Sequence, residues 1–267
     1  MFPLFSDALP QGTYSIKSHG IISKSIQIKT RKDVQYNDGL FADDIWPGAV
    51  VISDYLCKYP ELCRNKRVIE LGAGGALPSA VALFLNANHC LITDYPERSI
   101  LQNIESTLTE CGVDINRMTV RGLKWGENIL TEYLHEGNNN MDTLGIEIQE
   151  VQSVIDSTIL SYDLMILAEL LWKDTYPLHD KLLTSISYFI QQNCNMVILC
   201  SFAHRPTDHH TKEHDMEFIT NAKEKYNLCC EFIEKKRMPD ASSGGGDDAG
   251  DGMVDVSLYK MYKVSCK

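Results

Sequence analysis

Residues 68–79 read VIELGAGGALPS: an apolar run stops at Glu70, crosses a glycine-rich turn and re-enters an apolar stretch that carries Pro78. A strand passing through so bare a turn into a helix suits an open α/β sheet, where ligands sit beyond the carboxyl ends of the strands. Further apolar runs follow, separated by helical segments. CLITDYP (90–96) and MTVRGLKWG (118–126) read as the second and third strands, YDLMILAELLW (162–172) contains a fourth and NMVILCSFAHRP (195–206) a fifth. Helices are expected over 46–62 with Pro47 in the first turn, over 77–87, over 96–112 with Pro96 at the start and Gly112 just past the end, over 174–193 and over 211–226. Two strand-like runs, CCEFIEKKR (229–237) and VDVSLYKMYKV (254–264), close the chain with no helix between them. The pattern predicts an α/β fold: a doubly wound, mainly parallel seven-stranded sheet with an antiparallel C-terminal hairpin at one edge.

At 267 residues, with 44% hydrophobic and 23% charged residues, one large domain spanning 1–267 accounts for the chain. Within it, 1–40 reads as an N-terminal arm, and the polar segment 136–161 as a loop or insertion. Residues 240–252, around ASSGGGDDAGDG, have the composition of a disordered acidic loop. Thirty-six acids against 25 Lys and Arg give a net charge of −11. That balance argues against nucleic-acid and anionic-membrane surfaces and favours a basic partner. The nine cysteines show no paired metal spacing and sit largely in apolar runs, which suits reduced thiols. With no signal-peptide pattern at the start and no long apolar span, the chain is expected to be cytoplasmic and is read as a monomer.

The glycine turn can now be weighed. Gly72 and Gly74 let a ligand lie against the backbone, and Asp94, ending the second strand, can accept both hydroxyls of a ribose. Together they point to an adenosine-containing cofactor. A tight ligand-free connection, with Asp94 shaping its turn, is the plainer alternative. A dinucleotide fingerprint wants a third glycine where Leu77 stands, and a pyrophosphate wants free N–H groups at a helix start where Pro78 has none. The pattern E-x-G-x-G fits Glu70, Gly72 and Gly74 instead, with Ala76 in the last glycine position. It belongs to class I S-adenosylmethionine methyltransferases, whose cofactor carries no phosphate.

IWPGAVVISDYLCKYPELCRNKRVIELGAGGALPSAVALFLNANHCLITDYPERSILQNIE resembles the nicotinamide N-methyltransferase-like branch of those enzymes. It is most similar there to the fungal protein N-terminal and lysine methyltransferases of translation elongation factor one-alpha. The likeness is strong over roughly 45–105 and continues weakly to about residue 265. It implies a Rossmann-like methyltransferase fold, S-adenosyl-L-methionine as cofactor and a protein substrate, elongation factor one-alpha. It also implies that Gly72, Ala73 and Gly74 pass beneath the cofactor beside Glu70, that Asp94 holds the ribose and that Trp125 borders the adenine. Ala168 would offer its backbone to the methionine end, and Trp46 would close the pocket. The chain departs from the family pattern in reading Glu169 for an aspartate and Trp172 for a Tyr or Phe.

Duller roles stand beside these. Trp46 and Trp125 can be core aromatics, and Glu70 can anchor the turn by hydrogen bonds. His204, His209, His210 and His214 lack a carboxylate or Cys at a metal-binding spacing, so no metal is assigned. Methyl transfer needs an aligned acceptor lone pair more than a covalent catalyst. A lysine must first lose its proton, for which Glu169 or the Trp172 backbone is a candidate acceptor. No catalytic base is assigned. A small-molecule methyltransferase of the nicotinamide type and a non-catalytic binding module remain the alternatives.

Overall fold

The computed structural model describes residues 13–18, 21–27, 45–126, 161–205, 212–240 and 252–264, and within the first two strands the side chain of Tyr14 alone. The expected loop or insertion at 136–161 lies outside these residues except for Ser161, as does most of the N-terminal arm. Strands β1 (Thr13–Ser18) and β2 (Ile21–Gln27) form a separate antiparallel pair. The main sheet holds β3 (Arg67–Leu71), β4 (His89–Asp94), β5 (Met118–Gly122), β6 (Leu164–Ala168), β7 (Val197–Ala203), β8 (Leu228–Pro239) and β9 (Met253–Lys263). Their order is β5-β4-β3-β6-β7-β9-β8. The first five pair in parallel, and β9 runs antiparallel to both β7 and β8. The seven-stranded sheet with its antiparallel closing hairpin is as expected. The last strand, β9, inserts between β7 and β8, leaving β8 as the edge.

Alternation along β3, β4, β6 and β7 feeds two cores. In β6, Leu164 and Ile166 face one core while Met165 and Leu167 face the other. Helices α1 (Pro47–Lys58), α2 (Leu77–Phe84) and α3 (Arg98–Cys111) cover the first face. Helices α4 (His179–Gln192) and α5 (Lys212–Glu224) cover the second. Both faces are therefore shielded, as a parallel sheet requires. Tyr14 fastens the small sheet to the first layer, its hydroxyl donating to buried Asp54 of α1 at 2.7 Å.

Several boundaries fall inside the expected ones. The third strand stops at Gly122, where a side chain would strike Pro96 within 2.5 Å. Residues 123–126 then carry Trp125 back toward the sheet. The fourth strand ends at Ala168 because Glu169 turns into the left-handed region at φ 61°. Instead of one helix from 174, a single 3-10 turn at Tyr176–Leu178 precedes α4. Helix α3 begins at Arg98, after Pro96, because Glu97 is still extended. Asp240, assigned to the acidic loop by composition, ends the β8 side of the hairpin, its N–H donating to the Gly252 carbonyl at 2.8 Å. Residues 241–251 of that loop lie outside the described ones.

Candidate active site

Strand β3 is the switch point of the sheet, with the chain winding one way through β4 and β5 and the other way through β6 and β7. The crevice beyond its carboxyl end is bounded by the glycine turn, by the end of β4 and by the end of β6. In open α/β sheets that is where ligands bind. The turn hangs from β4: the Ala73 N–H donates to the Thr93 carbonyl at 3.0 Å and the Gly74 N–H to Asp94 Oδ2 at 2.7 Å. Gly72, Gly74 and Ala76 all have positive φ. At φ 60° a side chain on Gly72 would be strained, and its Cβ would lie 2.6 Å from Leu170 and 3.3 Å from Trp125. The two side chains that press on the turn therefore come from the connections after β5 and β6, so Trp125 lies at the crevice, packed over Gly72.

Glu70 sits beneath the turn. It is 1% exposed, and its Oε2 accepts from the Ser79 N–H at 3.0 Å and from the Ser79 hydroxyl. Helix α2 has no side-chain cap of its own, so Glu70 supplies one from the strand. Of the two roles open to Glu70, turn anchoring is the one its contacts describe. The same contact bears on ligand class. Pro78 has no N–H, and the Ser79 N–H is already taken by a carboxylate, so the start of α2 offers little to a phosphate.

Asp94 is half-buried at the end of β4. One carboxylate oxygen accepts from Gly74 N–H and the other from Tyr95 N–H, each at 2.7 Å. Burial raises its pKa from the ordinary carboxylate value, and these two amides work against that rise. Each oxygen keeps lone-pair capacity for a second donor, as a ribose diol would supply. A bare turn, a fixed carboxylate at the second strand, an aromatic ring across the turn and a helix start poor in phosphate donors fit S-adenosylmethionine.

Ala168 ends β6 opposite Ser201, and the next residue is the surprise. Glu169, expected as a possible proton acceptor, is fully engaged by its own chain. Its Oε2 accepts from Gly48 N–H at 2.8 Å, and its Oε1 accepts from Ala203 N–H at 3.2 Å and from Arg205 Nη1. Burial pushes its pKa up, against the pull of the Arg205 guanidinium. Arg205 also grips Asp240, with Nε 3.0 and 3.1 Å from the two carboxylate oxygens, and its Cζ lies 5.3 Å from the Trp46 ring centroid. Trp46 caps the start of α1 at this end of the sheet, two residues before Gly48. The sequence offers no signal for this cluster, because its members come from four separate elements. On the opposite face, His204 Nδ1 lies 2.6 Å from buried Asp215 of α5 and fastens that helix to β7; His209 and His210 lie outside the described residues.

A sequence profile described as Lysine methyltransferase matches residues 23–143. The protein N-terminal and lysine N-methyltransferase efm7 of Schizosaccharomyces pombe is 30% identical over 201 residues, covering 75% of this chain and 70% of its own. Its namesake in Candida glabrata is 32% identical over 215 residues, covering 80% and 73%. The chain belongs to this family. It is a class I S-adenosylmethionine-dependent N-methyltransferase with a protein substrate. Two solved structures share the fold at low identity. SMU.776, solved as a complex with SAH, has a TM-score of 0.51 at 14% identity, covering 96% of this chain and 57% of its own. The YcgJ protein of Bacillus subtilis has a TM-score of 0.50 at 13% identity, covering 81% and 100%.

Proposed function

We propose that this methyltransferase modifies the N-terminal amine, a lysine, or both, of translation elongation factor one-alpha, acting as a cytoplasmic monomer on a basic protein surface. The observation that carries the reading is the 30–32% identity to relatives named for both acceptors. The net charge of −11 supports a basic partner.

When bound, S-adenosylmethionine would supply an electrophilic methyl group on a sulfonium sulfur: the N–CH₃ bond forms as the S–CH₃ bond breaks, and the electron pair stays on the sulfur of S-adenosylhomocysteine. The residues of this chain bind and orient. In this reading Gly72, Ala73 and Gly74 form the floor, Asp94 accepts from the ribose hydroxyls and Trp125 lies along the adenine. Ala168 offers backbone to the methionine end, Trp46 closes the far side, and Glu70 holds the floor rigid from below. Alignment of an acceptor lone pair with the S–CH₃ axis can supply much of the acceleration. An α-amine with an ordinary pKa of about 7.7–8.0 is already substantially neutral, whereas a lysine near 10.4 must shed a proton. Glu169 accepts three donors from its own chain, an arginine among them, which ties its carboxylate to that cluster rather than to a substrate amine.

Incubation with radiolabelled S-adenosylmethionine and purified elongation factor one-alpha, followed by peptide mapping, tests this directly. Label on the N-terminal peptide or on a lysine peptide is expected. Label confined to small molecules in a whole-cell lysate would overturn the protein acceptor, and label on a different protein band would overturn the named one.

A further inference from the structure

The ends of four elements meet around one guanidinium. The start of α1 brings Trp46 and the Gly48 N–H, the end of β6 brings Glu169, the end of β7 brings the Ala203 N–H and Arg205 itself, and the end of β8 brings Asp240. The packing is tight enough that a Cβ on Gly48 would lie 2.3 Å from Glu169 Oε2 and 2.8 Å from Ser201 Oγ. Ser201 adds a further tie, its hydroxyl donating to the Gly48 carbonyl at 2.8 Å. Two carboxylates share one cation, with side chains 6% exposed for Glu169, 13% for Asp240 and 18% for Arg205. Removing three charges from water is costly, and well-packed apolar residues often stabilise a fold as well or better. A cluster of this kind gains geometry more surely than stability.

The geometry it fixes lies beside the crevice. Glu169 follows the last residue of β6, and β6 lies against β3, whose next residue is Gly72. We propose that Arg205 is a positioning residue for cofactor binding, holding Trp46 and the first turn of α1 against the ends of β6, β7 and β8. This rests on the reading of the β3–β6 crevice as the cofactor site. A planar guanidinium is required: its Nε donates to Asp240, its Nη1 reaches Glu169 and its face lies over the indole, whereas a lysine ammonium is a single point. Arg205 does not touch the cofactor; it acts through Trp46.

Calorimetric titration with S-adenosylhomocysteine of wild type, Trp46→Ala, Arg205→Lys and the double variant decides the matter. Trp46→Ala should weaken binding, and Arg205→Lys should weaken it about threefold to tenfold, the scale of coupling between touching groups. The double variant should bind no more weakly than Trp46→Ala alone. A purely stabilising ion pair would lower the melting temperature without this non-additivity. Losses that multiply, or wild-type affinity in either single variant, overturn the proposal. Should Arg205→Lys fold poorly, Asp240→Asn keeps the Arg205–Glu169 pair, and its effect with Trp46→Ala must again be non-additive. A wild-type protein that fails to bind S-adenosylhomocysteine overturns the reading beneath the proposal instead.

Discussion

Glu70 and Glu169 solve one problem in two places. Helices α1 and α2 both begin at a proline-containing first turn with no side-chain cap, and each borrows a carboxylate from the sheet. Glu70 is the more isolated of the two. Burial pushes its pKa up to about 8 against an ordinary value of 4.5, with the Ser79 contacts opposing the rise. A carboxyl whose pKa is higher folded than unfolded holds more protons in the fold. Stability therefore falls as pH rises from the ordinary value to about 8, then levels off. Glu70→Gln removes the titration, so the wild type should lose melting temperature relative to this variant between about pH 5 and about pH 8. Scanning calorimetry at several pH values checks this, and parallel curves for the two proteins would contradict it. Asp94 carries a related lesson. Its carboxylate accepts two backbone amides, so Asp94→Asn would set an NH₂ group against an N–H and disturb the turn. That variant therefore cannot separate turn shaping from ribose binding.

At the level of elements, the start of α1 is the tightest junction. Gly48→Ala gains helix preference of up to about 1 kcal/mol. Against that stand a Cβ at 2.3 Å from Glu169 Oε2 and a threatened hydrogen bond from the Gly48 N–H to a carboxylate. Overpacking costs about 1–3 kcal/mol and a charged hydrogen bond about 1.5–3 kcal/mol. The variant should therefore melt several degrees lower, and an unchanged or raised melting temperature would refute the packing described. The glycine at 48 is legible in the sequence, but the reason for it is not, since Glu169 lies 121 residues away. Strands and helices were legible because their periodicity is local: β3, β4, β6 and β7 announce themselves as apolar runs. Their ends were not: Ala168 stops β6 because the chain turns into the left-handed Glu169, whose carboxylate is held by Gly48 and Arg205. These are tertiary causes that no local window contains.

Across the whole molecule, sheet order explains why the legible part was the floor of the site. The turn at 71–76 and Asp94 stand at adjacent strand ends and are close in sequence, so one motif spans them. The Arg205 cluster is assembled from residues 46–48, 169, 203–205 and 240, which only the winding of β6, β7 and β8 brings together. Asp240 shows the consequence, since composition places it in an acidic loop and the fold pairs it with Arg205. The central claim remains that Asp94 holds the cofactor ribose in the crevice beyond β3 and β4. It is tested best by altering the ligand and leaving the turn intact. Calorimetry on the wild-type protein should compare S-adenosylhomocysteine with its 2′,3′-dideoxy analogue. Two hydrogen bonds to a carboxylate, at about 1.5–3 kcal/mol each and incompletely additive, predict roughly 30- to 1,000-fold weaker binding of the analogue. Equal affinity for the two ligands would contradict the account.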